Sequence, residues 1–347
     1  MSNINEKKKI FDPMADDSLE SRKIIKGKTT NINNFNQVKY KWTSSLYREM
    51  LSFFWIPEII PLASEKTVYR RELSQFQKKS FDETLSFLIF LDSIQATMLP
   101  NLSDYITAPE VSRIFALQTM MEVIHSQAYS YILESICDDS EIMKIYYYFR
   151  DNEKLLERCN QLTSFYADFR NNPNDSNLAK LIFASFALEG ILFWSGFYYF
   201  YNLAYNEKMT KTADVIRLIH RDEISHMDFF QKIILEIKNE LPGFLTQELF
   251  NEVFIPIVNL EKEWSIPVYG EGIPGITKQT IVDSIHYRSH VVAGLIEFDS
   301  PFPYAENPYP HLDGIGVDSG SGIKTSFFET RLTNYTQSVS ILGWDKI

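Results

Sequence analysis

From about residue 38 to residue 295 the chain is an almost uninterrupted series of helical hydrophobic patterns, apolar positions recurring every three or four residues, with little glycine and no sustained two-residue alternation. That spacing is the period of an amphipathic helix rather than of a strand. It predicts helices over 73–98, 109–136, 141–169, 176–205, 212–241, 246–265 and 278–295. Pro109 stands where a first-turn proline is tolerated, and Pro242-Gly243 makes a hard stop. Helices of this length pack most readily as aligned, roughly antiparallel neighbours, so the expected fold is an all-α bundle over residues 38–300. Residues 1–37 lack the pattern and are expected to be extended or mobile. After Ser300, Pro301, Pro303, Pro308 and Pro310 precede Gly314, Gly316, Gly320 and Gly322, which excludes a long helix. Residues 301–347 therefore divide into a Pro/Gly linker and a flexible tail whose apolar end, from Val339 to Trp344, suits docking.

One stretch tests this picture. Residues 181–205, LIFASFALEGILFWSGFYYFYNLAY, carry a single charge at Glu189 and are long enough to cross a bilayer. A lone carboxylate near the middle of a lipid-facing helix is costly, and no second span of comparable quality stands out. A helix apolar on all sides equally suits the centre of a large bundle, so no membrane role is expected. A hydrophobic fraction of 45% and an aromatic fraction of 14% can fill such a core. The net charge of −11 argues against nucleic-acid binding by phosphate neutralisation. Cys137 and Cys159 form no CxxC and no disulfide framework; with a polar N-terminus lacking an apolar signal core, the expected location is cytoplasmic.

The chemistry is carried by carboxylates in apolar surroundings. Two Glu-x-x-His pairs, Glu122/His125 and Glu223/His226, fall in separate predicted helices. Residues three apart share a helix face, so each pair aims a carboxylate and an imidazole into one space. Asp92, in SFLIFLDSIQ, and Glu189 add single carboxylates on two further apolar helices. One carboxylate from each of two helices and Glu-x-x-His from the other two is a dimetal-carboxylate ligand set, here with Asp in place of one Glu. Four buried carboxylates satisfied by unrelated hydrogen bonds are the plainer alternative, and such groups are rarely buried unpaired. Asp283-x-x-His286 repeats the spacing without a further carboxylate nearby and is read as surface or packing chemistry. Tyr129 follows Glu122 by seven residues, which at about 100° per residue leaves it within roughly 20° of the same direction. Phe193, Phe197 and Ile219 are expected to project from metal-bearing faces and to keep its phenol dry.

The segments LSFFWIPE (51–58), LDSIQ (91–95), EVIHSQAY (122–129), ALEGILFWSGF (187–197) and RDEISH (221–226) resemble the successive signature segments of class I ribonucleotide reductase small subunits. The likeness spans about residues 40–310, in order. It implies a homodimeric ferritin-like protein whose dinuclear metal site activates oxygen or a reduced oxygen species. The oxidising equivalent is stored and passed to a separate large subunit, which reduces ribonucleotides to deoxyribonucleotides. Carried over, Asp92, Glu122, His125, Glu189, Glu223 and His226 resemble the metal ligands, and Tyr129 the radical tyrosine. Trp55 matches the relay tryptophan, Asp222 its link to His125, and Tyr335 the tail tyrosine that passes the radical across the subunit interface. One branch of the family stores the oxidising equivalent on a manganese–iron pair and lacks the radical tyrosine. The tail is similar to that branch, while Tyr129 and Asp92 are not. Fe/Fe is favoured, with Mn/Mn or Mn/Fe as alternatives that the same ligands suit, and a flavoprotein or other reductant is a further candidate partner. The rival readings are a ferritin-like oxidase or desaturase with its own substrate, which a substrate-sized pocket would favour, and an iron-storage cage.

Overall fold

The computed structural model describes residues 7–313 and 315. Its helices are α1 (Trp42–Ser52), α2 (Glu65–Arg71), α3 (Gln75–Ser103), α4 (Pro109–Ile136), α5 (Asp139–Tyr146), α6 (Glu153–Asn171), α7 (Asp175–Ala187), α8 (Phe193–Tyr205), α9 (Thr210–Glu240), α10 (Gln247–Tyr269) and α11 (Lys278–Leu295). Among the described residues the only extended pairing is an isolated bridge between Ile25 and Ile106.

Local chemistry explains most of the boundaries. Ser74 starts α3 with a reciprocal cap: its hydroxyl accepts from the Gln77 backbone N–H, and the Gln77 side chain accepts from Ser74 N–H. Helix α4 begins at Pro109, as the first-turn rule requires. The single helix expected over 141–169 is instead two, α5 and α6, with a 3-10 turn at Tyr148–Arg150 between them. The reason is Asn152, whose side chain accepts from Leu155 N–H at 2.9 Å and starts a new helix inside an unbroken apolar pattern. Helix α10 continues through Pro256 and Pro267, longer than its hydrophobic period suggested. Helices α1 and α2 lie within the patterned stretch but outside the predicted helix ranges.

Helix α3 lies along α4, α4 against α9, α8 against α9, and α3 against α8. Around this core α10 packs on α6, α7 and α11. The apolar segment from α7 to α8 runs through the middle, with 89% of its most apolar stretch buried in protein. Helix α3 is also long and apolar enough to span a bilayer, correcting the expectation that only one segment qualified, and 61% of that stretch is likewise buried. Both are core helices of the bundle. Residues 7–40 form no helix and lie along the bundle, anchored by the buried Ile24 and Ile25 and by Arg22, 3.1 Å from the buried Glu110.

Candidate metal centre

Four elements converge at the centre of the bundle. Asp92 comes from α3, Glu122 and His125 from α4, and Glu223 and His226 from α9; all are at most 1% exposed. Glu189 comes from Leu188–Leu192, where the helix between α7 and α8 widens into one π turn. Such turns displace a side chain from the regular face and occur often at functional sites. Gly190 is needed here because a Cβ would lie 2.8 Å from Val292, and its carbonyl accepts from the Arg288 guanidinium at 2.7 Å.

The donor atoms form two groups, each within 4.8 Å: Asp92, Glu122, His125 and Glu223, then Glu122, Glu189, Glu223 and His226. Glu122 and Glu223 belong to both, which is the arrangement two bridging carboxylates require. The sequence-predicted ligands are thus brought together as one cluster. His125 Nδ1 lies 3.0 Å from Asp92 and 2.9 Å from Glu223, and His226 Nδ1 lies 2.7 Å from Glu223 and 3.2 Å from Glu122. Asp92, Glu122 and Glu189 each keep one buried oxygen without a hydrogen-bond partner. Unpaired buried carboxylate oxygens are expensive, and a pair of cations would satisfy all three. The residues present fit a dinuclear metal site.

Without metal, charge is balanced by protons. Burial pushes the Asp92 and Glu189 carboxyls well above their ordinary range, reinforced by Glu223 and Glu122. Burial alone would raise Glu223, yet His226 and His125 outweigh it and hold it low. His226 is raised to about 9 by Glu122 and Glu223 despite burial, and His125 is raised for the same kind of reason. Metal binding must displace these protons.

Around the ligands sits a partly foreseen second set of residues. Trp55 Nε1–H donates to Asp222 at 2.8 Å, and the same Asp222 oxygen lies 3.2 Å from His125 Nε2. Its other oxygen accepts from Arg221 at 3.1 and 2.8 Å. Tyr129 is completely buried, and burial followed by the charges of Asp92 and Glu223, with Asp92 within hydrogen-bonding reach, raises it well above a normal phenol. Phe193, Phe197 and Ile219 are buried too, the two rings stacked at 5.5 Å. Those rings line a cavity with Glu189, Glu223, Trp194, His220 and Arg288, whose volume of about 10 Å³ holds roughly one water. Asp283 and His286 stand apart from the cluster, as expected, with Gln279 and Lys262. Tyr335 lies outside the described residues, as do the docking segment and the rest of the tail.

Sequence reasoning missed the amides. Gln118 donates to Glu189 at 2.8 Å and to Glu122 at 3.2 Å; Gln95 donates to Glu189 and is itself bonded by Tyr166 at 3.0 Å. Their spacing offered the signal: Gln95 lies three residues after Asp92 and Gln118 four before Glu122, on the same faces.

A family model described as the small chain of ribonucleotide reductase matches residues 32–308. The ribonucleoside-diphosphate reductase subunit beta of Treponema pallidum is 37% identical, with 98% of each chain covered. Among solved structures, the ribonucleotide reductase R2 subunit from Clostridium botulinum superposes with a TM-score of 0.86 at 38% identity, covering 89% of this chain and 98% of that one. The dimanganese(II) NrdF protein of Streptococcus sanguinis shares the fold, with a TM-score of 0.72 at 22% identity over 82% of this chain and 99% of its own.

Proposed function

This chain belongs to the class I ribonucleotide reductase small-chain family, whose members work with a large subunit, and on that premise we propose how its residues divide the work. The observation that carries the reading is the pair of four-ligand groups sharing Glu122 and Glu223. Asp92 and His125 would hold one metal and Glu189 and His226 the other, with the two shared glutamates available to both. When bound, such a pair supplies the redox chemistry that activates oxygen or a reduced oxygen species. Fe/Fe is the pair we favour, with Mn/Mn and Mn/Fe the alternatives, since carboxylate and imidazole ligands suit each.

Tyr129 holds the resulting oxidising equivalent as a phenoxyl radical, in surroundings that exclude water and so slow its quenching. Its buried phenol gives up a proton as it gives up an electron, and the neighbouring Asp92 carboxylate is the group placed to take that proton. Asp222 positions His125 and joins it to Trp55, so electrons can pass between the protein surface and the centre through hydrogen-bonded groups. The chain works as a homodimer in the cytoplasm, and its tail docks on the large subunit with Tyr335 continuing the relay. A flavoprotein or another reductant supplies electrons for activation.

A desaturase-like enzyme with its own substrate is disfavoured by the cavity beside Glu189, which is far too small for an organic substrate. The test is reconstitution. Metal-loaded protein with a partner large subunit should convert ribonucleotides to deoxyribonucleotides, and His226→Ala should lose metal and activity together while staying helical. Full loading and turnover in His226→Ala would overturn the ligand assignment.

A further inference from the structure

Tyr129 is not the only buried tyrosine near the cluster. Tyr201, on α8, and His220, on α9, are 0% and 3% exposed, and the Tyr201 hydroxyl lies 2.8 Å from His220 Nδ1. His220 sits three residues before Glu223, on the same helix face. Its ring packs tilted against Phe197 at 4.8 Å and lines the water-sized cavity shared with Glu189 and Glu223.

A buried tyrosine and histidine that merely satisfy each other's polarity would explain the contact, but not its place beside an oxidising centre. The difference from Tyr129 is chemical. Oxidising a phenol makes its O–H a strong acid, so oxidation in a dry core needs a base at hydrogen-bond distance. The group beside the Tyr129 phenol is the carboxylate of Asp92, itself a candidate metal ligand, whereas Tyr201 has an imidazole at 2.8 Å. Arg288 lies on the same cavity wall, its guanidinium engaged by the Gly190 carbonyl.

We propose that Tyr201 and His220 form a second oxidisable site, taking the oxidising equivalent from the centre when Tyr129 has not. The proposal rests on the reading that this chain generates such an equivalent. The step balances within the protein: the Tyr201 O–H bond breaks, its electron reduces the oxidised centre by one equivalent, and its proton moves to His220 Nδ1. The products are a neutral phenoxyl and an imidazolium. Tyr198, with its ring 6.1 Å from Tyr201 and its hydroxyl donating to Asp313 at 3.1 Å, is the next group from which an electron could refill it.

The experiment uses full-length, metal-loaded Tyr129→Phe, exposed to oxygen or hydrogen peroxide and freeze-quenched within seconds for electron paramagnetic resonance. A transient tyrosyl signal, sensitive to deuterated tyrosine, is expected. It should vanish in Tyr129→Phe/Tyr201→Phe and be lost or much shorter-lived in Tyr129→Phe/His220→Gln, where an acceptor remains but the base does not. The same signal in both double variants would overturn the proposal, as would no organic radical in Tyr129→Phe while the wild type forms one. A wild type showing neither radical nor oxidised metal would overturn the functional reading and the proposal together. Metal-free protein gives a separate readout: ¹⁵N spectra should show His220 Nδ1 unprotonated and accepting, and a protonated Nδ1 would reject the proton-transfer step.

Discussion

The two halves of the cluster are built differently. On the Asp92/His125 side, ligands come from regular turns of α3 and α4, and His125 is backed by Asp222, both of whose oxygens are bonded, one to Trp55 and one to Arg221. On the Glu189/His226 side, the carboxylate comes from a π turn, is held by two neutral amides, and borders a water-sized cavity. A charge-assisted network fixes a ring and couples it to the neighbouring Trp55 indole. Amide donors hold a carboxylate more weakly, so it can change its contacts when cations arrive. The first half is suited to electron passage, the second to admitting a small oxidant.

Removing a shared ligand should blur that distinction most severely. Glu122→Ala takes a donor from both groups and should abolish binding of both metals, whereas Asp92→Ala and Glu189→Ala should each spare one site. Elemental analysis of the three variants, with circular dichroism to verify folding, measures this; two metals retained in Glu122→Ala would break the bridging assignment. Metal should also stabilise the wild type, by about 2.7 kcal/mol at a free concentration 100 times the dissociation constant, and so raise its melting temperature.

Loading should be pH-dependent, with a sign set by the shifted groups. The raised groups, His226 near 9 with His125, Asp92 and Glu189 also high, hold protons that metal must expel. Apparent affinity should therefore fall as pH is lowered, and a weakly buffered solution should acidify during loading. A pH-independent affinity would mean the cluster is already deprotonated. In the metal-free protein the His226 pair works the other way: its folded value lies above the free value of 6.5, so its stabilisation is present below about 6.5 and fades as pH rises through about 9.

Asp222→Asn attacks the first half without touching a ligand. It keeps the size and one acceptor but removes the charge that ties His125 to Trp55 and Arg221. Losses from such backing residues run to roughly 10–100-fold in metal affinity or activity. Here turnover with the large subunit should fall much more than metal content, and the Tyr129 signal should persist. Equal loss of all three would make Asp222 a structural support only.

Legibility from sequence followed the same division. Glu122/His125 and Glu223/His226 were readable because helical spacing alone puts them on one face, and Asp92 and Glu189 because a carboxylate in an apolar helix demands a partner. The π turn at Glu189 was not readable, since it leaves the hydrophobic period nearly intact. The break between α5 and α6 depended on one asparagine cap that the apolar rhythm masks. Gln95 and Gln118 shared the right faces, but an amide in a helix is ordinary until its carboxylate partner from another helix is known.

Those amides allow the mildest test of the second half. Gln118 bonds both Glu189 and Glu122, so Gln118→Leu leaves two carboxylates with one donor fewer while nearly keeping volume. A hydrogen bond to a charged group contributes about 1.5–3 kcal/mol, but Gln95 still holds Glu189, which puts the expected loss near the bottom of that range. The loss should appear at one metal only: weaker or slower filling of the Glu189/His226 position, with the Asp92/His125 position unchanged, resolved by stepwise metal titration. Equal weakening of both positions would show that Gln118 acts through the bridging Glu122 instead, and the contrast between the halves would then rest on the π turn and the cavity rather than on the amides.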